Sequence, residues 1–409
     1  MLRPVLYGLV AMVALFALTA RAESPPGGSV EALLSVARQQ SPEVIALRLE
    51  ADAARERAAA SGALPDPTLR FEERGIAADM GGRSTKYTFI QPLPWWGKRD
   101  LKREAAEADA DAAAAGSDAG WLELAARIKA AYALDYALAR QIALSREVAD
   151  LLDHLAAISR NRYANGLAPQ QDAIRARVER TALQTEIVQM ENERHHAQVR
   201  INGLLARPSH AVLAEPTAWR PMPAKLDHEA LDQRLRARNP QLFADEARIR
   251  AAEKNRDATY RNRYPDVALG VSPIQTGSRV SEWELMLEVT IPLQQGSRRS
   301  QEREAERSLE AARARRDAGA NRLLSELAEN VSALEASQRI ETLTRDDLLP
   351  QAELTFKAAL AGYENGKVDF ATLLDAQRQI RNAKQNVIKA QAEQQARLAE
   401  IEKLVGGEL

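Results

Sequence analysis

Arg162-Tyr163-Ala164-Asn165-Gly166, in the first half of the chain, returns as Gly362-Tyr363-Glu364-Asn365-Gly366 in the second. The echo extends outward from both copies. Leu64-Pro65-Asp66 returns as Tyr264-Pro265-Asp266, and Gln91-Pro92-Leu93 with Gly97 returns as Ile291-Pro292-Leu293 with Gly296. Ser41-Pro42-Glu43-Val44 returns as Asn239-Pro240-Gln241-Leu242. Order and spacing hold to within a couple of residues. Solenoid units repeat every ~20–50 residues, so this far longer period marks a duplicated half-protein. The first repeat covers 23–206, a connector covers 207–226, and the second repeat covers 227–409.

The chain has 409 residues, 56 of them basic and 57 acidic, for a net charge of −1. That balance argues against binding driven by phosphate neutralisation. The charges are interspersed, as on solvated helix faces. Cysteine is absent, which excludes disulfides, thiolate chemistry, cysteine metal sites and a lipid on an N-terminal cysteine. Residues 1–22 read as a secretory signal: Arg3 in the basic region, an apolar run from Val5 to Leu18, and Ala20-Arg21-Ala22 as a small-x-small cleavage site. The apolar run is shorter than the ~20 residues of a spanning helix. After cleavage no such stretch remains, so any further membrane contact must use strands.

Each half predicts the same series of elements. A helix is expected over 29–62, with Ser29 as its cap and Gly62 and Pro65 as its stop. A β-hairpin follows, with strands at Thr68–Glu72 and Lys86–Phe89 and a long Gly-rich tip. From Lys98 to about Asn161 there is no proline. Val148, Leu151, Leu155 and Ile158 are spaced as a coiled-coil seam requires. At ~1.5 Å per residue such a helix is on the order of 95 Å long, more than a compact domain uses. Asn165-Gly166 makes a turn, Pro169 suits the next first turn, and that helix runs to about Leu205. Pro208, Pro216, Pro221 and Pro223 mark an irregular connector. The second half gives a helix over 227–262, strands at 267–271 and 282–291, and a helix over 298–361 kinked at Pro350. It closes with the Asn365-Gly366 turn and a last helix over 368–404.

The segment 282–291 alternates without a break. Trp283, Leu285, Leu287, Val289 and Ile291 point one way, and Glu282, Glu284, Met286, Glu288 and Thr290 the other. Its length is that of a tilted membrane strand. Apolar-out, polar-in alternation is what a lipid-facing barrel with a wet lumen requires, although an amphipathic sheet on a soluble core would alternate in the same way. Trp95, Trp96 and Trp283 are candidates for the membrane-interface belt. Four strands cannot close a membrane barrel, and open edges cannot sit in lipid. Either the sheet is soluble or several chains pool their strands, and three chains would supply a number within the known range.

These features resemble the TolC-like outer-membrane factors of Gram-negative efflux and type I secretion systems, over essentially the whole mature chain. The carriers are the Pro-Asp before each first strand, the two Pro-Leu strand ends, the two Tyr-x-Asn-Gly turns, and Leu373-Leu374-Asp375-Ala376-Gln377 after the second turn. The resemblance implies a mainly α fold with a membrane β part. Long coiled-coil helices would build a periplasmic α-barrel, and four strands per chain would enter a trimeric 12-stranded outer-membrane β-barrel. It implies an outer-membrane exit duct that works with a periplasmic adaptor and an inner-membrane efflux pump. The chain is most similar to the shorter members that serve heavy-metal or small-molecule efflux. Many relatives carry a lipidated N-terminal cysteine; here anchoring should rest on the barrel alone.

A conduit needs no catalytic residues and no cofactor, and none is expected. In related proteins acidic side chains after the tip turns narrow the periplasmic entrance. The matching candidates are Asp375, Asp172 and Asp369. Three carboxylates in a ring would repel anions and bind cations. Thr372 stands at the repeat position of Asp172, and Arg175 at that of Asp375, so an Arg–Asp clasp between protomers is an alternative. Asp172 and Asp369 also suit helix first turns for dipole reasons alone. Candidates for adaptor contact are Tyr163, Asn165, Gly166, Leu167, Tyr363, Asn365, Gly366 and Val368; turn chemistry alone also accounts for them.

His154, His195, His196, His210 and His228 form no pair at helical ligand spacing, so no metal site is expected. No phosphate loop, hydrolase elbow or triad is visible, which argues against an enzyme. A secreted coiled-coil scaffold would explain the helices and the signal, but not two hairpins of membrane length at matching positions.

Overall fold

The structure is a computed structural model and describes residues 25–75, 83–223 and 226–409. The expected signal segment 1–22 lies outside the described residues. In chain order the elements are α1 (Val30–Gln40), α2 (Pro42–Ser61), β1 (Thr68–Arg74), β2 (Ser84–Leu93), α3 (Lys98–Ala164) and α4 (Gln170–Leu204). The second half gives α5 (His228–Arg238), α6 (Pro240–Arg261), β3 (Asp266–Thr276), β4 (Arg279–Thr290) and α7 (Gln295–Thr342). A π-turn at Leu343–Leu348, α8 (Leu349–Glu364) and α9 (Phe370–Leu404) complete it. The 67 residues of α3 make a helix of about 100 Å.

Two expected helices are each broken in two. Pro42 and Pro240 have no N–H to continue a helix and push the preceding residue out of the helical region. Ser41 and Asn239 accordingly take extended backbone, with ψ of 118° and 119°. Asn239 caps α6, accepting from Gln241 N at 2.9 Å and Leu242 N at 3.2 Å, and donates through Nδ2 to Leu404 O at 2.8 Å. The expected kink at Pro350 is met by the π-turn just before it, a winding that accommodates a missing i→i−4 bond. The described part of the connector after α4, residues 207–223, is irregular.

Two compact units are assembled, each from parts of both halves. One takes residues up to Gln40, Ile128–Pro221 and Ile340–Gln395. Its core interleaves Val148, Leu152 and Leu155 of α3 with Leu183 of α4, Tyr363 of α8, and Phe370, Leu373 and Ile388 of α9. Of the expected seam, Leu151 and Ile158 pack at the border of this core. Trp219 of the connector stands edge-on to Tyr136 and donates to Gln391 Oε1 at 3.0 Å.

The other unit takes Ser41–Arg127, Met222–Arg339 and Ala396–Leu409. Leu231, Leu235, Leu242, Leu327, Val331, Leu334, Ile401 and Val405 form its main core. Ala54 and Ala58 of α2 pack on Ala110 of α3. At Gly120 a Cβ would stand 2.2 Å from Leu47 Cδ1, so the small residue sets the approach of α2.

This unit also carries the sheet, antiparallel throughout and ordered β1-β2-β3-β4. β3 runs past the expected end at 271, through Pro273. A proline in an inner strand is tolerated beside an irregularity. Here the β2–β3 ladder skips Tyr87 and Thr88, and a bulge follows at Ile274/Gln275. Ser272 Oγ donates to Thr88 Oγ1 at 2.9 Å across the gap.

Candidate functional site

Register decides which side chains share a face. Leu69 faces Phe89, Phe89 faces Val271, and Val271 faces Leu285. Stepping by two along each strand adds Phe71, Tyr87, Val267, Leu269, Trp283, Leu287 and Val289 to the same face. The result is one apolar surface, and it is exposed: Leu285 is 90% accessible and Trp283 70%. The opposite face carries Arg70, Glu72, Lys86, Thr88, Ser272, Glu284 and Glu288, with Lys86 paired to Glu284. An open four-stranded sheet thus shows water-avoiding side chains to its surroundings on one face, and on the other charges and hydroxyls together with the buried Ile90 and Ile274. β1 and β4 each pair on one side only.

The three candidate belt tryptophans fall at the two ends of this sheet. Trp283 pairs with Pro273 near the hairpin end. Trp95 and Trp96 follow β2 at the helix end, edge-to-face with centroids 5.0 Å apart, and Trp95 stacks on Tyr264 at 5.5 Å. Lys98 Nζ, buried there, donates to Asp266 Oδ1 at 2.8 Å and Tyr264 O at 3.0 Å, while Trp95 N donates to the same carboxylate oxygen at 2.8 Å. The second Pro-Asp motif is therefore a latch between strand and helix. Asp66, its repeat partner, is exposed.

The two Tyr-x-Asn-Gly segments, in the other unit, build identical helix ends. Gly166 and Gly366 take φ of 71° and 72°. Gly166 N bonds Tyr163 O at 2.9 Å and Leu167 N bonds Arg162 O at 2.8 Å; Gly366 N bonds Tyr363 O at 3.0 Å and Lys367 N bonds Gly362 O at 2.8 Å. This is the Schellman pattern, which requires a left-handed residue where glycine stands. Asn165 and Asn365 each donate Nδ2 to the carbonyl four residues back at 2.7 Å.

The tyrosines do not match. Tyr163 is 49% exposed, beside the exposed Leu167, whereas Tyr363 is 3% exposed. The Tyr363 hydroxyl lies 3.0 Å from Ser159 Oγ and 3.3 Å from Asp172 Oδ2, and burial pushes its pKa up. Val368 is half-buried, and a Cβ at Gly362 would meet its Cγ2 at 2.6 Å.

Arg162, which stands where the second repeat has Gly362, ties the two turns together. It donates to Glu364 O and, at 3.2 Å, to Leu167 O, and its guanidinium sits 5.0 Å over the Tyr363 ring. Sequence reasoning missed this residue; the mark was one of the two mismatches within the repeated motif, arginine against glycine.

The four gate candidates divide. Asp172 is 5% exposed and turned toward Tyr363, so within the protomer it is no solvent-lined carboxylate. Asp369 caps the start of α9, accepting from Thr372 N at 2.9 Å, and that bonding lowers its pKa. Asp375 and Arg175 line one shallow groove of about 300 Å³ between α9 and α4, with Ile174, Val178 and Leu374. Across its floor Arg378 grips Glu179 through two nitrogens, Nε to Oε1 at 2.8 Å, and reaches Asp375 Oδ1 at 3.2 Å. The bonds from Arg378 hold the Glu179 carboxyl below the usual range despite partial burial. Glu179 and Arg378 were also missed, because ion pairs between distant segments leave no local signal. Among the described residues no cluster of metal-ligating side chains occurs, and no helix is long and apolar enough to cross a membrane.

A family model described as "Outer membrane efflux protein" matches residues 33–207 and 231–407. The chain belongs to the outer membrane efflux protein family. This efflux protein is 23% identical over 364 residues to the cobalt-zinc-cadmium resistance protein CzcC of Cupriavidus metallidurans, covering 87% of this chain and 84% of that one. Among solved structures it is similar to CusC, with TM-score 0.81, 18% identity and 96% of each chain covered. It is also similar to the outer membrane protein VceC of Vibrio cholerae, with TM-score 0.81, 19% identity, and 94% of this chain and 100% of that one covered. The efflux protein is thus an outer-membrane protein with the mainly helical fold of these channels, adding four strands per chain.

Proposed function

We propose that this efflux protein is the exit duct of a tripartite efflux system, conducting substrates passively across the outer membrane. The observation that carries the reading is the sheet: one apolar, exposed face and two unpaired edges. Open edges cannot remain in hydrocarbon, where each unpaired backbone group costs several kcal/mol. Three copies pairing β1 to β4 would abolish the edges and give twelve strands. The apolar face would meet lipid, and the face with Lys86, Glu284 and Glu288 would line a wet lumen. The helices would form the periplasmic α-barrel.

The turns at Gly166 and Gly366 would form the periplasmic tip, offering Tyr163, Leu167 and their neighbours to an adaptor that joins the duct to an inner-membrane pump. Asp375, exposed, not used as a helix cap and with Arg175 beside it, is the preferred gate candidate. Similarity to a cobalt-zinc-cadmium resistance protein favours divalent metal cations as cargo, with small toxic molecules as the other class.

The test is outer-membrane extraction followed by mass determination in detergent. A detergent-dependent particle with the mass of three chains, and ohmic conductance in planar bilayers, is the expected outcome. A salt-extractable monomer or dimer refutes the duct and favours a periplasmic coiled-coil scaffold. Loss of growth in cobalt, zinc or cadmium on deletion, restored by the intact chain, tests the cargo.

A further inference from the structure

We propose that the cleft beside Trp95 and Trp96 seats one phospholipid per protomer, in the leaflet nearer the helices. The inference rests on the outer-membrane location and on the apolar sheet face meeting lipid. The cleft holds about 460 Å³, within the ~300–1,000 Å³ range of small-molecule sites.

Its lining changes character along one direction. Leu269 lies deepest in the apolar face, Val267 and Leu93 pair with each other nearer the helix end, the tryptophans follow, and Arg99 and Asp100 stand in the first turn of α3. Hydrocarbon, then amphipathic aromatic rings, then charge is the order of groups along a phospholipid. The floor belongs to the inner strands β2 and β3. Pairing of copies through β1 and β4 would therefore leave it uncovered, continuous with the lipid-facing surface.

Two further observations separate a site from a general belt. First, the aromatic wall of the cleft has no counterpart in the sequence of the second repeat. Between the matched Leu93/Leu293 and Gly97/Gly296, Pro94-Trp95-Trp96 is replaced by Gln294-Gln295, and α7 begins at Gln295, where α3 waits until Lys98. A ring of aromatic anchors would serve both hairpins alike. Second, Trp96 remains 78% exposed although Trp95 beside it is fixed by Tyr264. It forms a standing wall over the apolar floor.

The charges select the headgroup class. Arg99 is held by two bonds to Gly62 O, from Nε at 2.9 Å and Nη2 at 2.7 Å, which leaves Nη1 for a phosphate oxygen. Asp100 meets only the far end of Arg103, at 3.7 Å, and is available to an ammonium group. A guanidinium and a carboxylate side by side match a zwitterionic phosphate–ammonium headgroup better than an anionic one.

The experiment is native mass spectrometry of the detergent-purified full chain, titrated with phosphatidylethanolamine and, separately, phosphatidylglycerol. The expected result is one tightly retained phosphatidylethanolamine per chain, with phosphatidylglycerol retained less. Trp96→Ala removes an exposed side chain and should reduce retention roughly tenfold, as loss of an aromatic anchor does. Asp100→Asn should keep the lipid but erase the headgroup preference. Equal retention by wild type and Trp96→Ala overturns the site, and equal binding of both lipids by the wild type overturns the zwitterionic assignment. The same spectra report the mass of the assembly, so failure of the trimeric duct is read separately from failure of the lipid site.

Discussion

Replacing Asp266 by alanine should loosen the junction between sheet and helix. Lys98 Nζ, whose side chain is 8% exposed, keeps only Tyr264 O at 3.0 Å, and Trp95 N loses its acceptor. Removing one partner of a buried ion pair typically costs ~3–5 kcal/mol. Asp266 is itself 46% exposed, so water already screens part of the interaction, and about 1–3 kcal/mol is the appropriate range. The converse change, Lys98→Met, removes the buried charge and leaves Asp266 with Trp95 N and solvent, so about 1 kcal/mol is expected. The double variant should cost less than the sum, by a coupling of roughly 1–2 kcal/mol. Hydrogen exchange in detergent reads the local opening directly, since ~1.4 kcal/mol is tenfold in rate. Amides at 93–98 and 264–268 should exchange about 10–100-fold faster in Asp266→Ala, and less so in the double variant. Exchange unchanged in Asp266→Ala, or strictly additive effects, would show that the latch is screened by water and that the Pro-Asp motif serves only the turn.

Other expectations concern the seam, the groove and the tip. Thr68 pairs with Ile90, yet Ala268 pairs with Glu288, two residues short of the sequence repeat. Carrying the internal β2–β3 seam over to adjacent copies then sets Val289 opposite Leu69 of the next copy. Cysteines at both positions, in a chain with none of its own, should give an intermolecular disulfide ladder ending at three chains. A Leu69–Glu288 pair, on opposite faces, should not. Asp375→Ala should raise single-channel conductance or weaken block by divalent cations if the carboxylates ring the entrance; unchanged values in both would remove Asp375 from the gate. Glu179 has a lowered folded-state pKa, so its contribution is full above the ordinary carboxyl value of ~4.3 and is lost as pH falls through the folded value. Channel recordings should therefore show acid-promoted opening below about pH 4 in the wild type. Glu179→Gln should be loosened already at neutral pH and lack that step. Arg162→Ala removes both carbonyl bonds and the ring contact, and should speed exchange in both tip turns roughly tenfold.

Much of the architecture was legible because it rests on local signals. The Schellman turns follow from Asn-Gly after a helical run, and the strand faces follow from strict alternation in 282–291. The prolines at 42 and 240 are repeat marks and also helix breaks, and a helix-rich run of residues on either side masks the break. The sequence marks this strand only over 267–271; its continuation through Pro273 depends on the gap and bulge, which are tertiary features. At the tip, the sequence offers Asp375 ahead of Asp172, which a helix first turn also explains. Packing separates them further, one against Tyr363 and the other beside Arg175 in an open groove.

The mismatches between the repeats carry as much information as the matches. Duplication supplies two copies of every structural solution, and a lone chain can complete only those whose partners lie inside it. The latch at Asp266 is complete because β3 is an inner strand with Lys98 beyond it; Asp66 stands exposed because β1 is an edge. On the trimer reading, the first turn of α7 in the next copy is what approaches Asp66. Arg298 there is engaged with Asn262 O, as Arg99 is with Gly62 O, and it and the exposed Arg299 would be the cations nearest that carboxylate. Arg162 against Gly362, Tyr163 against Tyr363, and Trp95-Trp96 against Gln294-Gln295 are departures of another kind. No second copy restores them to symmetry. They mark where one half of the duplication departs from the other: Arg162 joins the tips, and on the readings proposed above Tyr163 would meet an adaptor and the tryptophan pair would hold lipid.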